Sequence, residues 1–200
     1  MLRVTWEWLG SGAALDLANT VAVVDGVERD LLEPDGEYQR WAVAAATSPP
    51  LEADAAAAIV EARPRILALR EPIREVLFAV AAGDSLPGAA VAELNRVSRR
   101  SPMWAELSPE GRTRERAAGG AVDRLLATYA RSAIAVANDG AARLRVCPAP
   151  SCGMLFRPGR SDQRWCSLQC GTRARVAQHY RLRGSGGSAA RSKLSERSSE

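Results

Sequence analysis

Residues 145–173 read RVCPAPSCGMLFRPGRSDQRWCSLQCGTR, and they contain all four cysteines of the 200-residue chain. The cysteines form two close pairs with the spacing Cys147-x4-Cys152-x13-Cys166-x3-Cys170. Zinc is commonly held by four thiolates in a tetrahedron, and a chain usually supplies them as two close pairs. We therefore predict one structural Zn2+ site with these four cysteines as ligands.

Both pairs have a local sequence that suits a metal site. Next to the first pair, prolines bend the chain and Gly153 permits a positive φ, so that backbone amides can point at sulfur in a zinc knuckle. At the second pair, Ser167 can cap a helix that begins near Cys166, and Cys170 then lies in its first turn. The positive end of the helix dipole favours thiolates there. A knuckle followed by a helix predicts a treble-clef-like finger.

Other uses of the cysteines are less consistent with the sequence. Two disulfides, or four ordinary buried cysteines, remain as alternatives, but clustering in one short segment without an export signal argues against them. Four cysteines close the metal shell, whereas a catalytic zinc keeps a position open. His179 is the single histidine, so no Ser/His/Asp triad forms, and no Gly-rich phosphate loop is present. We expect no enzymatic activity.

The rest of the chain predicts a mainly α (α+β) fold, in which a helical N-terminal domain with a small β-hairpin precedes the finger. Turn residues predict a loop over Asp25–Gly36, and the pattern of residues 102–118 predicts the hairpin. Pro72 is expected to kink or divide one helix. Beyond a first helix near Leu15, helical spacing predicts helices over residues 37–47, 52–63, 64–82, 87–99 and 121–138.

We expect three segments along the chain. Residues 1–143 form the helical domain, residues 144–186 form the four-cysteine zinc finger, and residues 187–200 form a disordered tail, because their Gly and Ser content cannot build a core. No stretch of eighteen apolar residues predicts a membrane span, and a cytoplasmic location is expected. The oligomeric state stays open, and a homodimer is compatible with the sequence.

Charge separates the finger from the domain before it. Residues 1–144 hold 16 basic and 20 acidic residues, a net charge of −4, whereas residues 145–183 hold eight arginines and one aspartate, a net charge of +7. Two or three arginines could balance the thiolates of the metal site. The candidates for contact with DNA phosphates are Arg157, Arg160, Arg164, Arg173, Arg175, Arg181 and Arg183.

Two further interpretations remain open at this point. The basic finger could instead dock on an acidic protein, or on its own acidic N-terminal domain. In that domain Asp16, Asn19 and Thr20 form a polar group that could bind a small ligand, or could cap a helix and satisfy a turn. The spacing alone does not separate these alternatives.

The finger resembles the CGNR zinc finger family. The resemblance lies in Cys147-x4-Cys152-Gly153-x2-Phe156, in Arg164-Trp165-Cys166-Ser167-x2-Cys170-Gly171-Thr172-Arg173, and in Tyr180-Arg181. Thr172 stands where the family name has asparagine, which leaves the predicted metal ligands unchanged.

The preceding part is similar to the ABATE domain, through the run from Leu15 to Thr20 and through Trp41. Together the two resemblances cover about residues 10–183. They imply a bacterial, stress-associated transcription regulator in which the finger binds DNA and the helical domain senses or binds a ligand.

Overall fold

The fold was analysed in a computed structural model that describes residues 12–24, 26–33, 35–47, 55–140 and 143–181. It is mainly helical with small antiparallel strand pairs, as predicted. The predicted tail and Arg183 lie outside the described residues. The elements are α1 (Ala13–Ala18), β1 (Val21–Val24), β2 (Val27–Asp30), α2 (Asp35–Thr47), α3 (Ala55–Glu61), α4 (Arg63–Ala82), α5 (Gly88–Ser98), β3 (Met103–Leu107), β4 (Thr113–Ala117), α6 (Ala121–Asp139), β5 (Arg145–Val146), β6 (Leu155–Phe156) and α7 (168–181).

Helix α4 is the centre of the core. Its apolar residues recur at helical spacing, so one continuous face is buried against α1, α5 and α6. Trp41 of α2 is fully buried and stacks between Tyr38, at 5.6 Å between ring centroids, and Tyr129 of α6, at 6.1 Å. These rings close one end of the helical core. Within the described residues, no helix is both long and apolar enough to cross a membrane.

Pro72 does not divide α4, which is continuous from Arg63 to Ala82. The proline removes one amide donor, and the carbonyl left without it belongs to Ala68, which is exposed and can be solvated. On the opposite side, Ile73 and Leu77 are fully buried. Tertiary packing therefore keeps the helix continuous across a residue that disfavours it.

The expectation of a loop over Asp25–Gly36 is wrong. Strands β1 and β2 form an antiparallel hairpin that closes with Val24 opposite Val27, and Gly26 has a φ of 80°. An Asp-Gly dipeptide that follows a valine-rich run is a strong hairpin signal. The valines that follow α1 are equally compatible with a longer first helix, which conceals the first strand in the sequence.

The predicted hairpin over residues 102–118 is confirmed as β3 and β4. Every residue of these two strands is exposed except Ala117, which is half-buried. The hairpin therefore projects from the helical core rather than covering it.

Candidate metal centre and nucleic-acid interface

The four cysteine sulfurs converge on one point. The Sγ atoms of Cys152, Cys166 and Cys170 are 3.5 to 3.7 Å apart, and all four Sγ atoms lie within 4.8 Å of one another. A tetrahedron with metal–sulfur bonds of about 2.3 Å has edges of about 3.8 Å. The cluster thus has the size of a tetrathiolate site for one metal ion, and soft thiolates in this number suit zinc.

Backbone geometry directs amides at the sulfurs, as the knuckle interpretation requires. Gly153 has a φ of 66° and Ser151 a φ of 55°, so the chain turns sharply around Cys152. The N–H groups of Ala149 and Met154 donate to the sulfurs of Cys147 and Cys152, and the N–H of Cys166 donates to Sγ of Cys147 at 3.4 Å. Such donors stabilise negative sulfur in a site that is largely buried.

The helix that carries Cys170 begins at residue 168, two residues later than the predicted start at Cys166. The reason is that Ser167 is its N-cap: the Ser167 hydroxyl accepts from the N–H of Cys170 at 3.2 Å. Cys170 therefore lies in the first turn, whereas Cys166 precedes the helix.

The sulfur contacts separate the thiol pKa values. The contact with Cys166 lowers the pKa of Cys152 to about 5, against the effect of burial. The same contact, followed by burial, raises the pKa of Cys166, and burial raises the pKa of Cys147. Cys152 is accordingly held as thiolate more readily than Cys166 or Cys147, and a metal must displace protons from those two thiols.

Arg173 belongs to this centre. Its Nη2 donates to Sγ of Cys170 at 3.3 Å, and its Nη1 donates to the carbonyl of Ser151 at 3.2 Å. One guanidinium thus joins the first turn of α7 to the knuckle and places positive charge beside a ligand sulfur. The spacing of eight residues between Arg173 and Arg181 suggests a shared helix face, but it spans about 80° beyond two full turns, so Arg181 lies on a neighbouring face of α7.

The finger is built into the helical domain through a surface that we call the inner face. It comprises Leu144, Leu155 and the Cys152–Gly153 segment, together with the contacts these make. Leu144 and Leu155 are at most 1% exposed and belong to the main hydrophobic core. Leu155 is a residue of β6, which contacts α1 and α4.

Asn19 holds the inner face by pairing with a backbone. Its side-chain Nδ2 donates to the Leu155 carbonyl at 2.8 Å, and the Leu155 N–H donates to its Oδ1 at 2.9 Å. Beside this pair, a Cβ added to Gly153 would lie 3.1 Å from Cγ2 of Val23 in β1. Only glycine allows the knuckle to approach the strand this closely.

Thr20 and Asp16 are also buried. The Thr20 hydroxyl donates to the Leu17 carbonyl at 2.7 Å and accepts from Nη1 of Arg70 at 3.1 Å. Arg70 is 5% exposed and also donates to both carboxylate oxygens of Asp30, at 2.8 and 2.6 Å. The three residues predicted as a ligand corner thus lie together in the interior, where Asn19 and Thr20 make internal hydrogen bonds.

A groove of about 490 Å³, which we call the basic groove, lies between the knuckle and α7. Arg164, Arg175 and Arg181 line it with Gln178, Trp165 and the knuckle prolines, and no acidic side chain lines it. The guanidinium of Arg164 lies over the Trp165 ring, 5.5 Å from its centroid. The basic groove therefore combines positively charged side chains with a partly apolar surface.

The other predicted arginines are distributed differently. Arg160 is 81% exposed and 3.6 Å from Asp162. Arg157 pairs with Asp139 of α6 at 2.6 Å, which links finger and helical domain. The six of these arginines that the structure describes therefore do not form one continuous stripe.

Two residues that position the groove were missed from the sequence. Arg145 donates to the carbonyls of Gln163 and Ser161, at 2.7 and 3.1 Å, and so anchors the loop that carries Arg164. Gln163 accepts from the Gly159 N–H and donates to the Trp165 carbonyl, at 2.8 and 3.0 Å. No motif signals these contacts, since they follow from how the loop folds back on β5.

Fold and site together define a helical domain that carries a four-cysteine finger. The chain belongs to the ABATE family, whose model matches residues 11–140 and is described as "Putative stress-induced transcription regulator". A CGNR zinc finger model matches residues 143–183. Both resemblances drawn from the sequence are thereby confirmed. Among curated proteins no match is found.

Proposed function

We propose that this protein is a zinc-dependent DNA-binding transcription regulator that contacts DNA through the basic groove. The observation that carries the proposal is the lining of the groove, with three arginines, one glutamine and no acidic side chain. Arginine presents a planar fork of donors that suits phosphate oxygens, and each neutralised phosphate releases counterions. Trp165 and the prolines add apolar surface that can contact sugar or an exposed base edge.

Cys147, Cys152, Cys166 and Cys170 would hold the zinc ion. Zinc bound there would supply folding free energy and would fix the knuckle against α7, and with all four cysteines as ligands it would have a structural rather than a catalytic role. The chain's own residues then do the recognition. Arg173 joins α7 to the knuckle, so Arg175 and Arg181 project from a helix of fixed direction.

The helical domain would set the orientation of the finger. The Asn19–Leu155 pair and the Arg157–Asp139 ion pair tie the two parts together. Through these contacts, a conformational change in the helical domain can alter the orientation of the finger, as a regulator requires. Asn19 and Thr20 support the structural role of their corner more than a ligand site, because their polar atoms are used in internal hydrogen bonds.

The test uses the full zinc-loaded chain and random-sequence duplex DNA. We expect retardation at low salt that weakens steeply toward higher salt, and a large loss of affinity in the variant Arg175→Ala/Arg181→Ala. Arg96→Ala is the matched control, since it removes one exposed arginine that pairs with Glu93 on α5. Equal DNA affinity of the groove variant and the control would reject the proposal.

A second candidate keeps the same groove but gives it an acidic protein partner. The finger does pack on its own acidic domain, yet it uses the inner face and leaves the basic groove available. Capture of an acidic protein that requires Arg175 and Arg181, with no DNA retardation at any salt, would favour this candidate over the first.

A further inference from the structure

The β3–β4 hairpin is an exposed element with no assigned role. Met103 and Trp104 are each 47% exposed, and Leu107 is 74% exposed. A two-stranded hairpin is marginal in water by itself, and three or more strands are usually needed for stability. An element of this kind is expected to gain from a third strand at one of its edges.

The ladder register defines which backbone groups face outward on β3. The Ala118 N–H donates to the Pro102 carbonyl at 3.0 Å, and the Ser108 N–H donates to the Arg112 carbonyl at 2.9 Å. Hydrogen-bonded pairs alternate along an antiparallel ladder, so Trp104 and Glu106 direct their backbone groups at β4. The N–H and C=O groups of Met103, Ala105 and Leu107 consequently face the open edge.

The two edges of the hairpin differ in protection. Strand β4 reads Thr-Arg-Glu-Arg-Ala, and charged residues at three of five positions discourage pairing with another strand. Strand β3 reads Met-Trp-Ala-Glu-Leu, with one charge and no proline. Chains usually block an exposed edge of this composition, yet within the part of the chain that the structure describes every residue of β3 remains exposed.

Strand β3 is complementary to the β3 strand of a second copy when the two strands pair antiparallel with Ala105 opposite Ala105. Met103 then lies opposite Leu107 of the second copy, and Trp104 lies opposite Glu106 of the second copy. Apolar pairs and aromatic–polar pairs of this kind stabilise neighbouring strands. For β4 the same operation about Glu115 places glutamate opposite glutamate and Arg114 opposite Arg116, which is repulsive.

We propose that β3 is a self-association edge, through which two copies of this chain form a four-stranded antiparallel sheet with two-fold symmetry. The occupant of the edge is a second copy because the pairing satisfies charge and polarity at every position of the strand. The interface is isologous, so the pairs Met103–Leu107 and Trp104–Glu106 each occur twice. The association is independent of what the basic groove binds.

The test measures mass by sedimentation equilibrium of the full zinc-loaded chain, with reductant present to prevent disulfides. Over about 1 to 500 µM, the range in which a small interface dissociates, we expect a reversible monomer–dimer equilibrium. Met103→Lys/Leu107→Lys places lysine opposite lysine at both pairs and should yield monomers. Met103→Lys/Leu107→Glu places lysine opposite glutamate at both pairs and should retain the dimer.

A second pair of variants tests the backbone edge. Ala105→Pro removes an outward N–H of β3 and should weaken the dimer at least tenfold, whereas Glu115→Pro changes the outer edge of β4 and should leave it intact. Far-ultraviolet circular dichroism controls for folding in all four variants. A wild-type chain that stays monomeric throughout, or charge variants that respond alike, would overturn the proposal.

Discussion

The inner face and the basic groove belong to the same finger, yet they use their residues in opposite ways. On the inner face, Leu155 is fully buried and both of its backbone polar groups pair with Asn19. In the groove, Arg164, Arg175 and Arg181 line one surface, and the described residues that line it include no acidic side chain. The difference teaches that one face holds the finger to the helical domain, whereas the other presents exposed arginines, which we propose contact DNA.

The largest loss of stability is expected at Leu155, because the inner face is part of the main core. Leu155→Ala removes a fully buried side chain and should lower the free energy of unfolding by about 2–5 kcal/mol. Urea denaturation followed by circular dichroism of the helices measures this, because the helical domain should lose stability together with the finger. A destabilisation confined to the finger would show that the two do not share a core.

Asn19 should come next. Asn19→Ala leaves the N–H and C=O of Leu155 buried without their side-chain partner, at a cost of about 1–3 kcal/mol. Asn19→Asp retains the acceptor for the Leu155 N–H but loses the donor to its carbonyl. The free energy of unfolding measured in urea should therefore stay below that of the wild type. Ser132→Ala serves as the comparison, because it removes the acceptor for the Ala14 N–H on α1, a hydrogen bond that lies away from the finger.

Arg173 tests whether an arginine of the finger supports the metal centre rather than the groove. Arg173→Ala should weaken zinc affinity about 10- to 100-fold, as loss of a partner to a metal ligand typically does. Competition with a chromogenic chelator measures the affinity. Arg175→Ala on the same helix, whose guanidinium contacts Thr172, is the matched control and should retain zinc as the wild type does.

The smallest effect is expected from Asp30, which supports β2 behind the inner face. Burial acts to raise its pKa, but hydrogen bonds from Arg70 and the Leu32 N–H outweigh burial, so the pKa lies below its usual range. A carboxyl with a lowered folded-state pKa contributes stability above its unfolded pKa of about 3.9, and that contribution is lost as the pH falls through the folded value.

Asp30→Asn should therefore cost about 1–2 kcal/mol near pH 7 and should flatten the acid side of the stability profile. Urea midpoints between about pH 7 and pH 3 measure both effects. A variant with an unchanged slope on the acid side would mean that Asp30 does not carry this linkage.

Local sequence predicted the metal centre better than it predicted either face. The cysteine pairs, the Ser167 cap and the positive φ of Gly153 each depend on a few neighbouring residues, so spacing was sufficient. Asn19 and Leu155 are 136 residues apart, and no local pattern joins them. Charge composition selected the arginines as a group, but which ones line the groove depends on how the finger folds.

The helical core was also largely predictable, because apolar residues in α4 and α6 keep a regular period. The misassigned elements are those in which local signals conflict. Val21–Val24 follows α1 after only two residues, and Pro72 lies inside a helix that packing keeps intact. In both places tertiary contacts decide between local alternatives.

The most direct test of the two-face account is the salt dependence of DNA binding by the full zinc-loaded chain. We expect Arg175→Ala in the basic groove to reduce the slope of log affinity against log salt by about one, because one phosphate contact is lost. Arg157→Ala, which removes the partner of Asp139 next to the inner face, should leave the slope unchanged. Equal slopes for the two variants, or a chain that does not bind DNA at low salt, would contradict the account.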